Sequence, residues 1–126
     1  VQVPILILKK DQVLLTIRSR DFSFVLEEKF ATIFSLLERF RIKANLVHNS
    51  AVNLSLCVDN SWHIDEAVAA LREAGFDVMK SGDMELLTIR GYTDELWRRY
   101  ARGQQVFIRQ ATQSTVRVVR RCAAKR

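Results

Sequence analysis

The 126-residue sequence predicts an α+β fold, an antiparallel sheet with its helices on one face, built nearly twice over. Three observations lead there. Between Phe30 and Asn60 the spacing of apolar residues changes from three-and-four to two, the signature of a helix followed by a hairpin. A second helical stretch and another strand follow directly. After an opening run, the first 80 residues therefore read strand, helix, strand, strand, helix, strand, the βαββαβ order of a ferredoxin-like unit. Lastly, Leu-Leu-Thr-Ile-Arg occurs at residues 14–18 and again 72 positions later at residues 86–90, which points to internal duplication.

Taken in order, residues 3–8 form a short apolar run that reads as a buried strand. Lys9, Lys10, Asp11 and Gln12 make a polar break, and residues 13–17 are a second strand. Residues 18–24 loop into a long helix that starts near Ser23 or Val25, with Ser19, Asp21 and Ser23 as candidate N-caps. Phe30, Ile33, Phe34, Leu37 and Phe40 form its apolar stripe, with Phe30 and Phe34 read as core. Ile42, Ala44 and Leu46, then Val52, Leu54, Leu56 and Val58, alternate with polar residues as two strands. His48, Asn49 and Ser50 are the expected turn between them. Residues 64–74 form the second helix. Ile64, Ala67, Val68 and Leu71 share its face, Asp65 and Glu66 suit its first turn, and Gly75 stops it. Phe76 and Val78 begin the closing strand.

The remainder reads as a shortened second copy. Asn49-Ser50-Ala51-Val52 matches Gln113-Ser114-Thr115-Val116 at an offset of 64, eight less than the first offset, so about two helical turns are lost. Thr93 can cap a short helix over residues 94–102, with Leu96, Trp97 and Tyr100 as apolar contacts and Gly103 as its stop. Residues 106–109 and 115–120 supply its hairpin. Residues 1–80 are thus a first module and 81–126 a second that lacks its last helix and strand, and residues 3–8 are available to complete it.

Composition narrows the function. A 48% hydrophobic fraction, one Pro and four Gly describe an ordered core rather than a disordered chain. No apolar run approaches the roughly 18 residues of a membrane span, and no signal-peptide layout opens the chain, so a cytoplasmic protein is expected. Cys57 and Cys122 are too few for a disulfide framework. The net charge of +6 is compatible with nucleic acid. It is unevenly placed, though, with Arg98, Arg99 and Arg102 on one short helix and Arg117, Arg120, Arg121, Lys125 and Arg126 at the end, which favours a solvated face and basic tail. His48 and His63 are isolated, without a cysteine or carboxylate at metal spacing and without a nucleophile to serve, so no metal and no catalytic residue are assigned. Trp62 and Trp97 are read as covering the edges of the core or meeting a dimer partner.

On these residues the chain resembles a known family. LLTIR, the helix IFSLLERFRIKANL, then HNSAVNLSLCVD are similar to the first regulatory ACT domain of aspartate kinases, and GDMELLTIRGY to the opening of the second. The resemblance covers about residues 12–120 and implies a tandem ACT fold. It implies a regulatory region of an enzyme that phosphorylates aspartate, a carboxyl acceptor, at the first step of lysine, threonine and methionine biosynthesis. ATP and magnesium belong to an N-terminal kinase domain whose Lys-Phe-Gly-Gly-Thr-Ser motif is not in this sequence, so this fragment is expected to be no enzyme and to hold no cofactor.

The resemblance further implies an amino-acid effector, lysine or threonine, held between paired ACT domains of a homodimer. The positions that match the family's effector contacts are Ser23, Phe30, Ala44, Asn45, Asn49, Ser50 and Ala51. Helix N-terminal amides suit a carboxylate there, and turn carbonyls or an acidic side chain suit an ammonium. The chain departs from lysine-sensitive members in having Asn45 for Asp, Ala51 for Glu, and Glu27-Glu28 for a glycine-containing loop. These departures support an alternative, a dimerisation module without an effector site. A second alternative, a ferredoxin-like nucleic-acid binder, lacks the paired exposed aromatics on its central strands that stack bases.

Overall fold

The computed structural model describes residues 5–19, 27–50, 53–91, 95, 98–99 and 105–121. Six strands and two helices are defined: β1 (Ile5–Ser19), α1 (Glu27–Arg39), β2 (Ala44–Asn49), β3 (Asn53–Asp59), α2 (Ile64–Glu73), β4 (Phe76–Arg90), β5 (Val106–Ala111) and β6 (Thr115–Arg121). Glu95, Arg98 and Arg99 are helical as well, and the rest of that expected helix, with Trp97, lies outside the described residues. The hydrogen-bonded strand order is β2-β3-β1-β4-β6-β5. Two compact units divide the chain, Val13–Gly82 on the one hand and Val1–Gln12 with Asp83–Arg126 on the other, and the divisions fall inside β1 and β4.

In the unit of residues 13–82 the sheet runs β2-β3-β1-β4. Val13, Leu15 and Ile17 of β1 alternate inward with Leu54, Leu56 and Val58 of β3, and meet Ile33 and Leu37 of α1 and Ile64, Ala67, Val68 and Leu71 of α2. The period-two and period-three-four patterns thus converge on one core, with Phe30, Leu36 and Phe40 packed at its margin. Phe34 departs from its expected place: it is 37% exposed on the flank of α1, its ring edge-on to Phe30. Helix α1 ends without glycine. Arg41 takes φ 58°, its N–H donates to the Glu38 carbonyl, and the Ile42 N–H donates to the Leu37 carbonyl at 2.9 Å, with Leu37 and Ile42 both buried. This is a Schellman stop carried by arginine. Gly75, at φ 103°, ends α2 as expected, and the Arg72 guanidinium donates to the Val78 carbonyl at 2.9 Å, tying helix to strand.

In the other unit the order is β1-β4-β6-β5, and Leu87, Ile89, Val116 and Val118 form a small cluster. Glu85 faces Arg120 across the β4–β6 ladder, and the buried carboxylate accepts from Nε at 2.8 Å. No buried side-chain nitrogen or oxygen among the described residues lacks a partner.

Two expectations change here. Lys9 to Gln12 do not interrupt the strand: β1 is continuous, with Asp11 absorbing a local kink at φ 58° and Gln12 buried, its amide donating to the Lys10 carbonyl. Position 83, 72 residues on, repeats the device as Asp83 at φ 58° in β4. The opening run is not buried either, since Ile5, Leu6, Ile7 and Leu8 are 41–52% exposed.

The two hairpins repeat each other in register. In β2–β3, Ala44 pairs with Val58 and Leu46 with Cys57, leaving Asn45 bulged. In β5–β6, Val106 pairs with Arg120 and Ile108 with Val119, leaving Phe107 bulged. Ser50 closes the first turn onto Asn53, and Thr112 closes the second onto Thr115. These equivalences give an offset of 62, two less than the tetrapeptide match suggests, because that match straddles a turn and ignores the ladder. His48 and Asn49 accordingly belong to β2, and Ser50, just past its end, bonds to Asn53.

Candidate functional site

Among the described residues, strand β2 ends the sheet order and has a neighbouring strand on one side only. Its sequence, Ala-Asn-Leu-Val-His-Asn, holds neither Pro nor a lysine, arginine or carboxylate, the usual guards of an exposed edge. Val47 is 44% exposed on it. Between this edge and the end of α1 runs an open groove of about 600 Å³, lined by Phe34, Leu37, Arg41, Ile42, Ala44 and Val47 among others.

The expected site residues fall in two groups. Ala44 and Asn45 stand at the start of β2, while Asn49 and Ser50 stand at and just past its end. The five-residue separation from 44 to 49 is about 16 Å along a strand. Phe30 is partly buried in α1 against the core. Ser23 and Ala51 lie outside the described residues. One chain thus separates the positions that the resemblance groups together.

At the first end, the bulge turns Asn45 toward the next strand's end, where its Nδ2 donates to Asp59 Oδ1 at 2.8 Å. Asp59 is exposed, and its carboxylate is an anionic group held beside Asn45. Periodicity missed Asp59, since only the bulge brings positions 45 and 59 together. At the second end, the Ser50 hydroxyl accepts from the Asn53 N–H at 3.2 Å and donates to the Asn53 carbonyl at 3.3 Å, so it shapes the turn. Trp62 does not cover the core: it is 84% exposed and stacked on His63 at 4.2 Å. Among the described residues no group of three His, Cys, Asp or Glu side chains is placed to hold a metal, and no helix is long and apolar enough to cross a membrane.

The two-helix, antiparallel arrangement with its repeated hairpin is an ACT-type fold. Solved structures with this fold include regulatory domains and subunits of aspartate kinase. A C-terminal regulatory domain of aspartate kinase from Porphyromonas gingivalis W83 matches with TM-score 0.76 at 23% identity, over 94% of this chain and 86% of that one. The ligand-free regulatory subunit of aspartate kinase from Thermus thermophilus matches with TM-score 0.70 at 15% identity, over 92% and 85%. Aspartokinase III of E. coli, solved with lysine and aspartate in its T-state, matches with TM-score 0.70 at 19% identity, over 90% of this chain but 28% of its own. The chain therefore spans a little over a quarter of that kinase and nearly all of the two regulatory pieces. At these identities the likeness shows the fold alone. No protein-family model and no curated protein sequence matches the chain.

Proposed function

We propose that this chain is the effector-binding regulatory region of an aspartate kinase, that it dimerises through the β2 edge, and that an amino acid bound there biases an attached kinase domain. The observation that carries the reading is the Asn45–Asp59 pair at one end of an unguarded edge strand. A twofold, antiparallel pairing of β2 with β2 of a second copy sets the Asn45–Asp59 end of one chain beside the Asn49–Ser50 end of the other. The two half-sites that one chain holds about 16 Å apart are then joined, and the groove around Phe34 and Val47 is covered.

Charge supports β2 over β5 as the pairing edge. Residues 13–82 carry eight Lys and Arg against nine Asp and Glu, a net −1, whereas residues 1–12 and 83–126 carry twelve against five, a net +7. Two near-neutral units associate without the repulsion that two basic ones suffer. Asp59 favours an effector with a second ammonium, so lysine is expected ahead of threonine and methionine. Bound in one packing of the pair, the effector shifts the kinase by its difference in affinity for the two states.

Isothermal titration of the purified chain with lysine, threonine and methionine separately tests this. Saturable heat with lysine, weakened at least tenfold by Asp59→Asn, is expected. Flat traces from a folded dimer would favour the reading in which the module only dimerises, in keeping with the Ser50 hydroxyl being engaged in its own turn.

A further inference from the structure

The two units are not equally covered. In the orders β2-β3-β1-β4 and β5-β6-β4-β1, β4 closes the unit of residues 13–82 and β1 closes the other. The repeat offset of 72 carries along these two strands, since Asp11 and Asp83 hold the same φ of 58°. Leu6 therefore stands where the other unit has Val78, and Leu8 where it has Lys80. Val78 is 7% exposed and shares a core with Ile64, Val68 and Leu71 of α2, whereas Leu6 is 41% exposed and Leu8 42%. Among the described residues no helix follows β6 as α2 follows β3.

Helix α2 is also held on its strand at two polar points. The Arg72 guanidinium donates to the Val78 carbonyl at 2.9 Å, and Lys80 Nζ donates to Asp65 Oδ1, in the first turn of the helix, at 2.8 Å. In β1, Leu6, Leu8 and Lys10 alternate onto one face ahead of the kink at Asp11, and all three are exposed. A lysine thus shares the face of the two leucines, one step of the alternation beyond the position of Lys80.

We propose that Leu6, Leu8 and Lys10 form a docking strip for an amphipathic helix of a partner protein, which does for this unit what α2 does for the other. Apolar residues three and four apart on the helix lie on Leu6 and Leu8, and an acidic first turn meets Lys10 as Asp65 meets Lys80. A strand added in the plane of the sheet would leave the two leucine side chains uncovered, so the face calls for a helix. Charge sets the occupant. Residues 1–12 and 83–126 carry a net +7, which attracts an acidic helix and repels a second copy of the same unit. Among the described residues the stripes of α1 and α2 in such a copy, Ile33, Leu37, Ile64 and Leu71, are buried in its own core. The inference stands apart from effector binding at β2, which involves the other unit.

The full chain is titrated with a blocked peptide of the α2 sequence Ile64–Glu73, stapled as a helix on its solvent face and followed by fluorescence anisotropy. Saturable binding is expected, weakened at least about tenfold by L6S/L8S, with circular dichroism showing the fold of that variant unchanged. Lys10→Glu should weaken binding at low salt and by less at high salt. A stapled peptide with its apolar stripe scrambled should not bind. No saturable binding, or equal binding to L6S/L8S, would overturn the proposal. So would equal binding of an unstapled peptide with proline at its centre, which would dock extended rather than helical. A dimer that L6S/L8S makes monomeric would overturn it too, because the strip would then belong to a second copy. Asp59→Asn, in the other unit, should leave the peptide titration unchanged, so failure of either proposal is distinguishable from failure of the other.

Discussion

Arg120→Val should destabilise this protein strongly. Glu85 is 6% exposed and Arg120 15%, and they meet at 2.8 Å. By the two repeat offsets, Glu85 stands where the other unit has Val13 and Arg120 where it has Val58, both core residues. The ladder position is therefore one that accepts two valines in this fold. Removing the guanidinium alone leaves a carboxylate buried without its partner, at a cost of about 3–5 kcal/mol. For a chain of this length that lowers the melting temperature by roughly 10–25 °C. Glu85→Val should cost less, because the longer, more exposed arginine can turn its charge to water. The double variant E85V/R120V removes both charges and restores the chemistry of the other unit. It should be neutral to about 4 kcal/mol more stable than the parent. Urea denaturation followed by far-ultraviolet circular dichroism reads all four proteins. If Arg120→Val lies within about 1 kcal/mol of the parent, or the double variant is as unstable as the single, the assignment of a buried, mutually dependent pair is refuted.

Four further outcomes are expected. Leu37→Ala, at 1% exposure in the α1 stripe, should cost about 2–5 kcal/mol in the same denaturation assay. Gly75→Ala should cost about 1–2 kcal/mol from backbone strain at φ 103° alone, since an added Cβ meets nothing within 4 Å. Gly82→Ala, equally uncrowded and without that φ, should change stability by less than about 0.5 kcal/mol. Val47→Lys places a charge at 44% exposure on the β2 edge, so sedimentation should show monomer while the melting curve of that monomer still shows a cooperative fold.

The core was legible because local period and burial agree. Ile33, Leu37, Leu54, Leu56, Val58, Ile64 and Leu71 are apolar at the spacing their element requires, and all are buried. What was not legible depends on neighbours that periodicity does not see. Gln12 reads as part of a polar break, yet the ladder on each side carries β1 through it and buries the side chain. Ile5 to Leu8 read as buried from hydrophobicity alone, and they stand exposed. Trp62 is likewise apolar by type and solvent-facing by position, since it falls in the turn before α2 rather than on its stripe. At the β2 site, Asn45, Asn49 and Ser50 could be named from a family pattern. Asp59 could not, because a bulge that skips one residue is what brings it to Asn45.

That bulge is also a place where the two halves of the chain differ. Both hairpins keep the same skipped residue, the same pairs beyond it and the same closing hydrogen bond from the first turn residue to the fourth. A bulge bends and twists the strand that holds it, so it sets the shape of an edge. The shape has been retained while the side chains it presents have become Asn45 and Asp59 on one edge, Phe107 and Arg121 on the other. Packing constrains the backbone of both hairpins alike, through Leu54 and Leu56 in the first and Val116 and Val118 in the second. It places no such demand on residues that point off the edge.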